Sequence, residues 1–183
     1  MLDAIVKLTE KIVELSKYRN ERKQRRFEDL VDPIYAEMIK VHQAYLSMFT
    51  TALEQLEAGL SIEDIIAPLS RARLADEAKR HALIAQVEVF HGRSDMAYAN
   101  AFLTHVREYF GESPFSHNNS PSNMLVVTLM SLESKVLHPE LLLVRGNPRE
   151  SVARTVSMTI DQLRSNWNTL ARGYAVLRAN SLP

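Results

Sequence analysis

The sequence predicts an all-α fold, a bundle of about six helices with long N- and C-terminal helices. Apolar residues recur three and four positions apart along most of the chain, which is the period of an amphipathic helix. No run shows the alternation and β-branched enrichment that are typical of a strand. Most of the 5 glycines and 7 prolines lie where the periodic segments begin or end.

The first two helices are predicted to meet at Asp32. The first covers residues 2–31, and Asp32 followed by Pro33 then resembles an N-cap with proline at the first helical position. The second helix is expected from Pro33 to Ala58, where Gly59 ends it. Its apolar seam consists of Tyr35, Met38, His42, Tyr45, Phe49, Ala52 and Leu56.

A third segment opens at Ser61. Ser61 and Asp64 have the spacing of a capping box, with Asp in place of the usual Glu. Pro68 is expected to break or kink this segment, since proline lacks the N–H that a helix interior uses. Beyond it a helix should continue to about Phe90, with Gly92 as its stop.

Three further helices complete the prediction. The fourth begins at a cap formed by Ser94 or Asp95 and ends at Phe110, and a polar loop follows at 111–121. That loop is either an ordinary solvent loop or a binding segment. The fifth helix, 121–137, is apolar nearly all round and is expected in the core.

The last helix has a strong start signal, Asn147, Pro148 and Glu150, and continues to about Ala179. Apolar residues recur three and four positions apart over the whole length of this helix. Its seam consists of Val152, Val156, Ile160, Leu163, Trp167, Leu170, Tyr174 and Leu177.

The N-terminal helix has a polar stretch in its middle. Its first half carries an apolar stripe, here called the arm stripe, formed by Ile5, Leu8, Ile12 and Leu15. From Arg19 to Arg26 no apolar side chain occurs, over about 12 Å of helix. Since burying unpaired charge is costly, this part is expected to stand clear of the bundle. The chain is therefore divided into a helix of residues 1–31, with a docking arm at 1–18 and a basic segment at 17–26, and a bundle core of residues 32–183.

The arm stripe is large enough to need a partner. It buries about 300–500 Å², or about 8–12 kcal/mol before the entropy of ordering is subtracted. The stripe packs on its own bundle, or it pairs with a second copy or another protein. A membrane-surface role is disfavoured, because the polar face mixes Glu with Lys.

The basic segment is a candidate for binding a polyanion such as nucleic acid. Its cations are Lys17, Arg19, Arg22, Lys23, Arg25 and Arg26, and Glu21 is its one acid. Such a surface neutralises phosphates, but the lack of aromatic residues after Tyr18 gives no indication of base stacking. The alternatives are an acidic protein partner and a solvated face, balanced by the acids that follow at 28, 29 and 32.

Metal and catalytic chemistry receive little support. Glu88 and His91 match the Glu-x-x-His element of di-iron helical bundles, but no second copy of the element occurs. We therefore treat them as weak metal candidates and expect no cofactor. His42 lies on an apolar seam and is predicted to be a core histidine bonded to a backbone group or a Tyr hydroxyl. Nucleophile-elbow, phosphate-loop, dinucleotide and zinc-protease motifs do not occur.

Composition narrows the class of protein further. The 22 basic and 22 acidic residues balance, so only a local patch would attract a polyanion. The absence of cysteine excludes disulfides and thiolate chemistry and suits a cytoplasmic location. No stretch approaches the roughly 20 apolar residues of a membrane span, and no signal peptide is expected.

These observations favour a non-enzymatic interaction or scaffold module. It is expected to self-associate, or to bind a partner protein, through the arm stripe. The alternatives are a nucleic-acid-associated subunit that uses the basic segment and a metal-binding helical-bundle enzyme.

Overall fold

A computed structural model of the chain describes residues 21–110 and 148–181. This part is helical and contains no strand, which confirms the all-α class for the residues described. Its α-helices are α1 (Asp32–Glu57), α2 (Ile62–Phe90), α3 (Asn100–Tyr109) and α4 (Pro148–Ala179). The arm stripe, the loop 111–121, the predicted helix 121–137 and the cap at Asn147 lie outside the described residues.

The predicted boundary at Asp32 is wrong. Asp32 has helical angles (φ −60°, ψ −47°), and its N–H donates to the carbonyl of Phe27. Residues 21–26 are helical, and a π-helical turn, Phe27–Val31, joins them to α1 without a break. Pro33 has no N–H and crowds the carbonyl four residues before it, and the wider π turn accommodates this.

Helix α2 starts where the sequence predicts, but it continues past the residue at which a break was expected. The Ser61 hydroxyl oxygen accepts the Asp64 N–H at 3.2 Å, as an N-cap should, and its O–H donates to Asp64 Oδ2 at 2.7 Å. Of the expected break or kink at Pro68, the break is wrong, because the helix continues through Pro68 to Phe90, and the kink stays a prediction. Both Pro68 and Asp64, whose carbonyl loses its donor, are exposed, so the missing hydrogen bond lies on the solvent-facing side of the helix.

Glycine ends both of the first two helices as predicted. Gly59 and Gly92 have φ angles of +94° and +78°. Residues with a Cβ rarely adopt this left-handed backbone conformation. Between Gly92 and α3 the chain forms a 3₁₀ turn, Ser94–Ala99, with no side-chain cap at its start. The predicted cap by Ser94 or Asp95 is therefore wrong: α3 begins only at Asn100, after Ala99, and the Asp95 carboxylate binds arginines instead.

The core lies where α1 packs against α4 and α2 and where α3 packs against α4. Both predicted seams are confirmed. All seven seam residues of α1 except the half-buried Tyr35 are buried. On α4 the seam is buried except at Trp167 and Tyr174, which are half-buried, and the helix ends at Ala179 as expected. None of the described helices has the length and apolarity to cross a bilayer.

Candidate functional site

The described part of the basic segment lies against the bundle. Arg26 donates to the Asp95 carbonyl at 2.8 Å and pairs with the Asp95 carboxylate at 3.0 Å. Lys23 donates to the carbonyl of Asn180 at 2.9 Å and lies 5.4 Å from the ring centre of Tyr98. The expectation that this stretch stands clear of the bundle is therefore wrong for Lys23 and Arg26.

The reason is that tertiary partners satisfy these charges. Arg26 keeps 36% of its side-chain surface exposed and shares Asp95 with Arg93, which also lies 3.0 Å from the carboxylate. The hydrogen bond from Arg93, with the nearby charges of Arg26 and Arg93, lowers the pKa of Asp95. Lys23 meets a carbonyl just past the C-terminal end of α4, where a helix dipole favours a cation. Contact with the bundle thus leaves neither charge unpaired.

Two arginines of the basic segment, Arg22 and Arg25, are exposed. Glu28 and Asp29 follow them on the same helix and are exposed as well. Acidic and basic groups therefore share this surface, as expected for a solvated helix face. Lys17 and Arg19 lie outside the described residues, and binding of nucleic acid by the basic segment stays a prediction.

Next to the basic segment, the π turn leads into a column of aromatic rings between α1 and α4. Phe27 lies 5.8 Å from Tyr174, and Tyr174 stacks on Tyr35 at 3.7 Å. Tyr35 in turn stacks on Trp167 at 5.6 Å. The Tyr174 hydroxyl donates to Asp32 Oδ1 at 2.7 Å. Burial, together with this hydrogen bond, raises the pKa of Tyr174 to about 12, so its proton stays on the phenol at neutral pH.

The spacing of residues in the sequence did not predict this column. Spacing places Tyr35 and Tyr174 on the seams of two helices, but it does not pair residues of different helices. The one available signal is an acid at Asp32, just before an aromatic-rich seam.

The prediction for His42 is confirmed. His42 is 7% exposed, and its Nδ1 lies 3.0 Å from the hydroxyl oxygen of Tyr109. Its ring also stacks on Trp167, with centroids 4.5 Å apart and planes at 9°. Burial lowers the pKa of His42.

The weak metal candidates do not come together as ligands. Glu88 is exposed, whereas His91 is half-buried with its Nε2 3.2 Å from the Thr104 hydroxyl oxygen. Within residues 21–110 and 148–181, no three His, Asp or Glu side chains form a group that could hold a metal ion.

Comparison of the chain with protein-family models, with curated proteins and with solved structures finds no match. A functional proposal therefore depends on the residues of the chain itself.

Proposed function

We propose that this chain is a non-enzymatic helical interaction module that self-associates or binds a partner protein through the arm stripe. One observation carries the proposal. The four apolar residues of the stripe are separated from Phe27, the first buried residue of the described bundle, by a run from Arg19 to Arg26 without an apolar side chain. An apolar patch of about 300–500 Å² is as large as the patches that proteins commonly use for binding, and its burial against a partner is favourable.

The anchoring of residues 21–31 supports this role. Lys23 and Arg26 are bonded to the bundle, and Phe27 and Val31 are 1% and 0% exposed. The chain that precedes Glu21 therefore starts from a fixed point. A fixed attachment point favours binding, because preorganisation lowers the entropy cost of association.

A second exposed apolar surface is consistent with helix association. On α2, side chains spaced three and four apart face away from the core-facing Ile65, Leu69 and Val87. They are Ala75, Ala78, Ala82, Ala85 and Val89, of which Val89 is 61% exposed. Small side chains let another helix approach closely, but nothing in the structure shows what covers this face.

Substituting one residue of the arm stripe tests the proposal. Full-length protein is expected to elute as a dimer or larger assembly, and Leu8→Asp as a monomer, because a carboxylate in an apolar contact is desolvated without a partner. Light scattering coupled to size exclusion measures both masses. If the partner is another protein, the wild type instead elutes with that protein as a stoichiometric complex, and Leu8→Asp elutes alone as a monomer.

The matched control is Val6→Asp, which adds the same charge two positions away, on the opposite side of the expected helix. It is expected to behave as the wild type. If the wild type and Leu8→Asp are both monomers, retain no partner and melt at the same temperature, the proposal is wrong.

A further inference from the structure

His42 joins the three helices that form the central junction. It projects from α1, contacts Tyr109 of α3 at 3.0 Å, and stacks on Trp167 of α4. The ring is 7% exposed, so water has little access to its nitrogens. Each of these contacts suits a neutral imidazole, whose Nδ1 accepts the Tyr109 hydroxyl proton in one tautomer.

Among the described residues that contact His42, none carries a negative charge to balance an added proton. Tyr109 faces it from α3 and Trp167 from α4. On α1, the residues one turn to either side, Met38 and Tyr45, are buried and uncharged. The carboxylate next to Tyr109 in sequence, Glu108, pairs with His105 at 3.1 Å. The face of the Trp167 indole attracts a cation and offsets part of the cost of protonation.

We propose that His42 is an acid-sensitive latch: its neutral ring holds α1, α3 and α4 together, and its protonation opens this junction. In the protonated ring both nitrogens are donors, so Nδ1–H meets the Tyr109 oxygen and the Tyr109 hydroxyl proton must turn away. None of the described neighbours named above supplies a counter-charge to the buried cation, and opening lets the cation reach water.

The direction of the pH effect follows from burial. Burial lowers the pKa of His42, so the open or unfolded chain binds a proton at a higher pH than the closed junction does. The latch is therefore fully closed above about pH 6.5, the ordinary value for histidine. As the pH falls further, the equilibrium constant for closing decreases by up to about tenfold per pH unit, until the closed form is also protonated.

Trp167 provides the measurement, because it is the sole tryptophan of the chain and lies against the ring in question. Urea unfolding followed by its fluorescence gives the folding equilibrium constant at pH 7.5 and 5.5. His42→Gln keeps a side-chain hydrogen-bonding group and cannot become charged. Between pH 7.5 and pH 5.5 the folding equilibrium constant of the wild type is expected to decrease by up to about tenfold more than that of His42→Gln. His81→Gln, the control at an exposed histidine of α2, is expected to follow the wild type.

Equal pH dependence in the wild type and His42→Gln would overturn the latch. An NMR titration of the imidazole protons tests it in the unmodified protein, should the variant fail to fold. There the His42 signal is expected to titrate below the ordinary histidine range, and titration at or above about pH 6.5 would also overturn it. Neither outcome requires association through the arm stripe, provided that the wild type and its variants are unfolded at one protein concentration.

Discussion

Phe27→Ala is expected to lower the free energy of unfolding by about 3–5 kcal/mol, the cost of emptying a buried aromatic site. Phe27 is 1% exposed and its ring lies 5.8 Å from that of Tyr174. It occupies the π turn between the basic segment and α1, so the cavity also loosens the attachment of residues 21–26. Urea unfolding at pH 7.5 measures the change.

The control for Phe27→Ala is Val89→Ala, which removes an apolar side chain that is 61% exposed. A surface change of this kind is expected to stay within about 0.5 kcal/mol of the wild type. If Phe27→Ala costs no more than its control, residues 21–31 are not part of the cooperative bundle, and the contacts of Lys23 and Arg26 do not contribute to its stability.

Gly173→Ala is expected to destabilise the protein although it improves helix propensity. A Cβ at this position would lie 2.8 Å from Cδ2 of His105, so the α3 side chain must shift and disturb its pair with Glu108 at 3.1 Å. Overpacking of this kind costs about 1–3 kcal/mol, whereas replacing glycine by alanine in a helix contributes about 1 kcal/mol. We expect a net loss of up to about 2 kcal/mol, measured by chemical unfolding.

A double-mutant cycle identifies the cause of that loss. In a His105→Ala background the imidazole is absent, and Gly173→Ala is expected to stabilise the protein by up to about 1 kcal/mol. The coupling energy between the two positions is then about 1–3 kcal/mol. A coupling near zero would mean that the closeness of α3 and α4 does not depend on Gly173.

Local signals predicted the class of the fold and many helix limits. Gly59 and Gly92 end helices because a positive φ is a property of the residue itself. Ser61 caps α2 because its hydroxyl reaches an N–H only three residues away. The seams of α1 and α4 are buried because apolar spacing alone selects one helix face. His42 was recognised as a core residue for the same reason.

The positions of prolines predicted helix breaks less well. Pro33 and Pro68 both predicted breaks, yet a π turn absorbs the first and an exposed surface tolerates the second. Whether a helix tolerates proline depends on what surrounds the carbonyl that loses its donor, and this is a property of the folded chain.

The sequence by itself determined the helical class, the apolar face of each helix, and those helix ends that are set by a residue of the adjacent turn. Only the tertiary structure decided which charges are paired. Arg26 meets an acceptor 69 positions away, Lys23 one 157 positions away, and the Tyr174 hydroxyl meets Asp32 across 142 positions. A run of polar residues indicates that its side chains need hydrogen-bond or ion-pair partners. These partners are either water or groups of an element that is distant in the sequence. Helix packing brings those elements together, and for this reason the basic segment lies on the bundle.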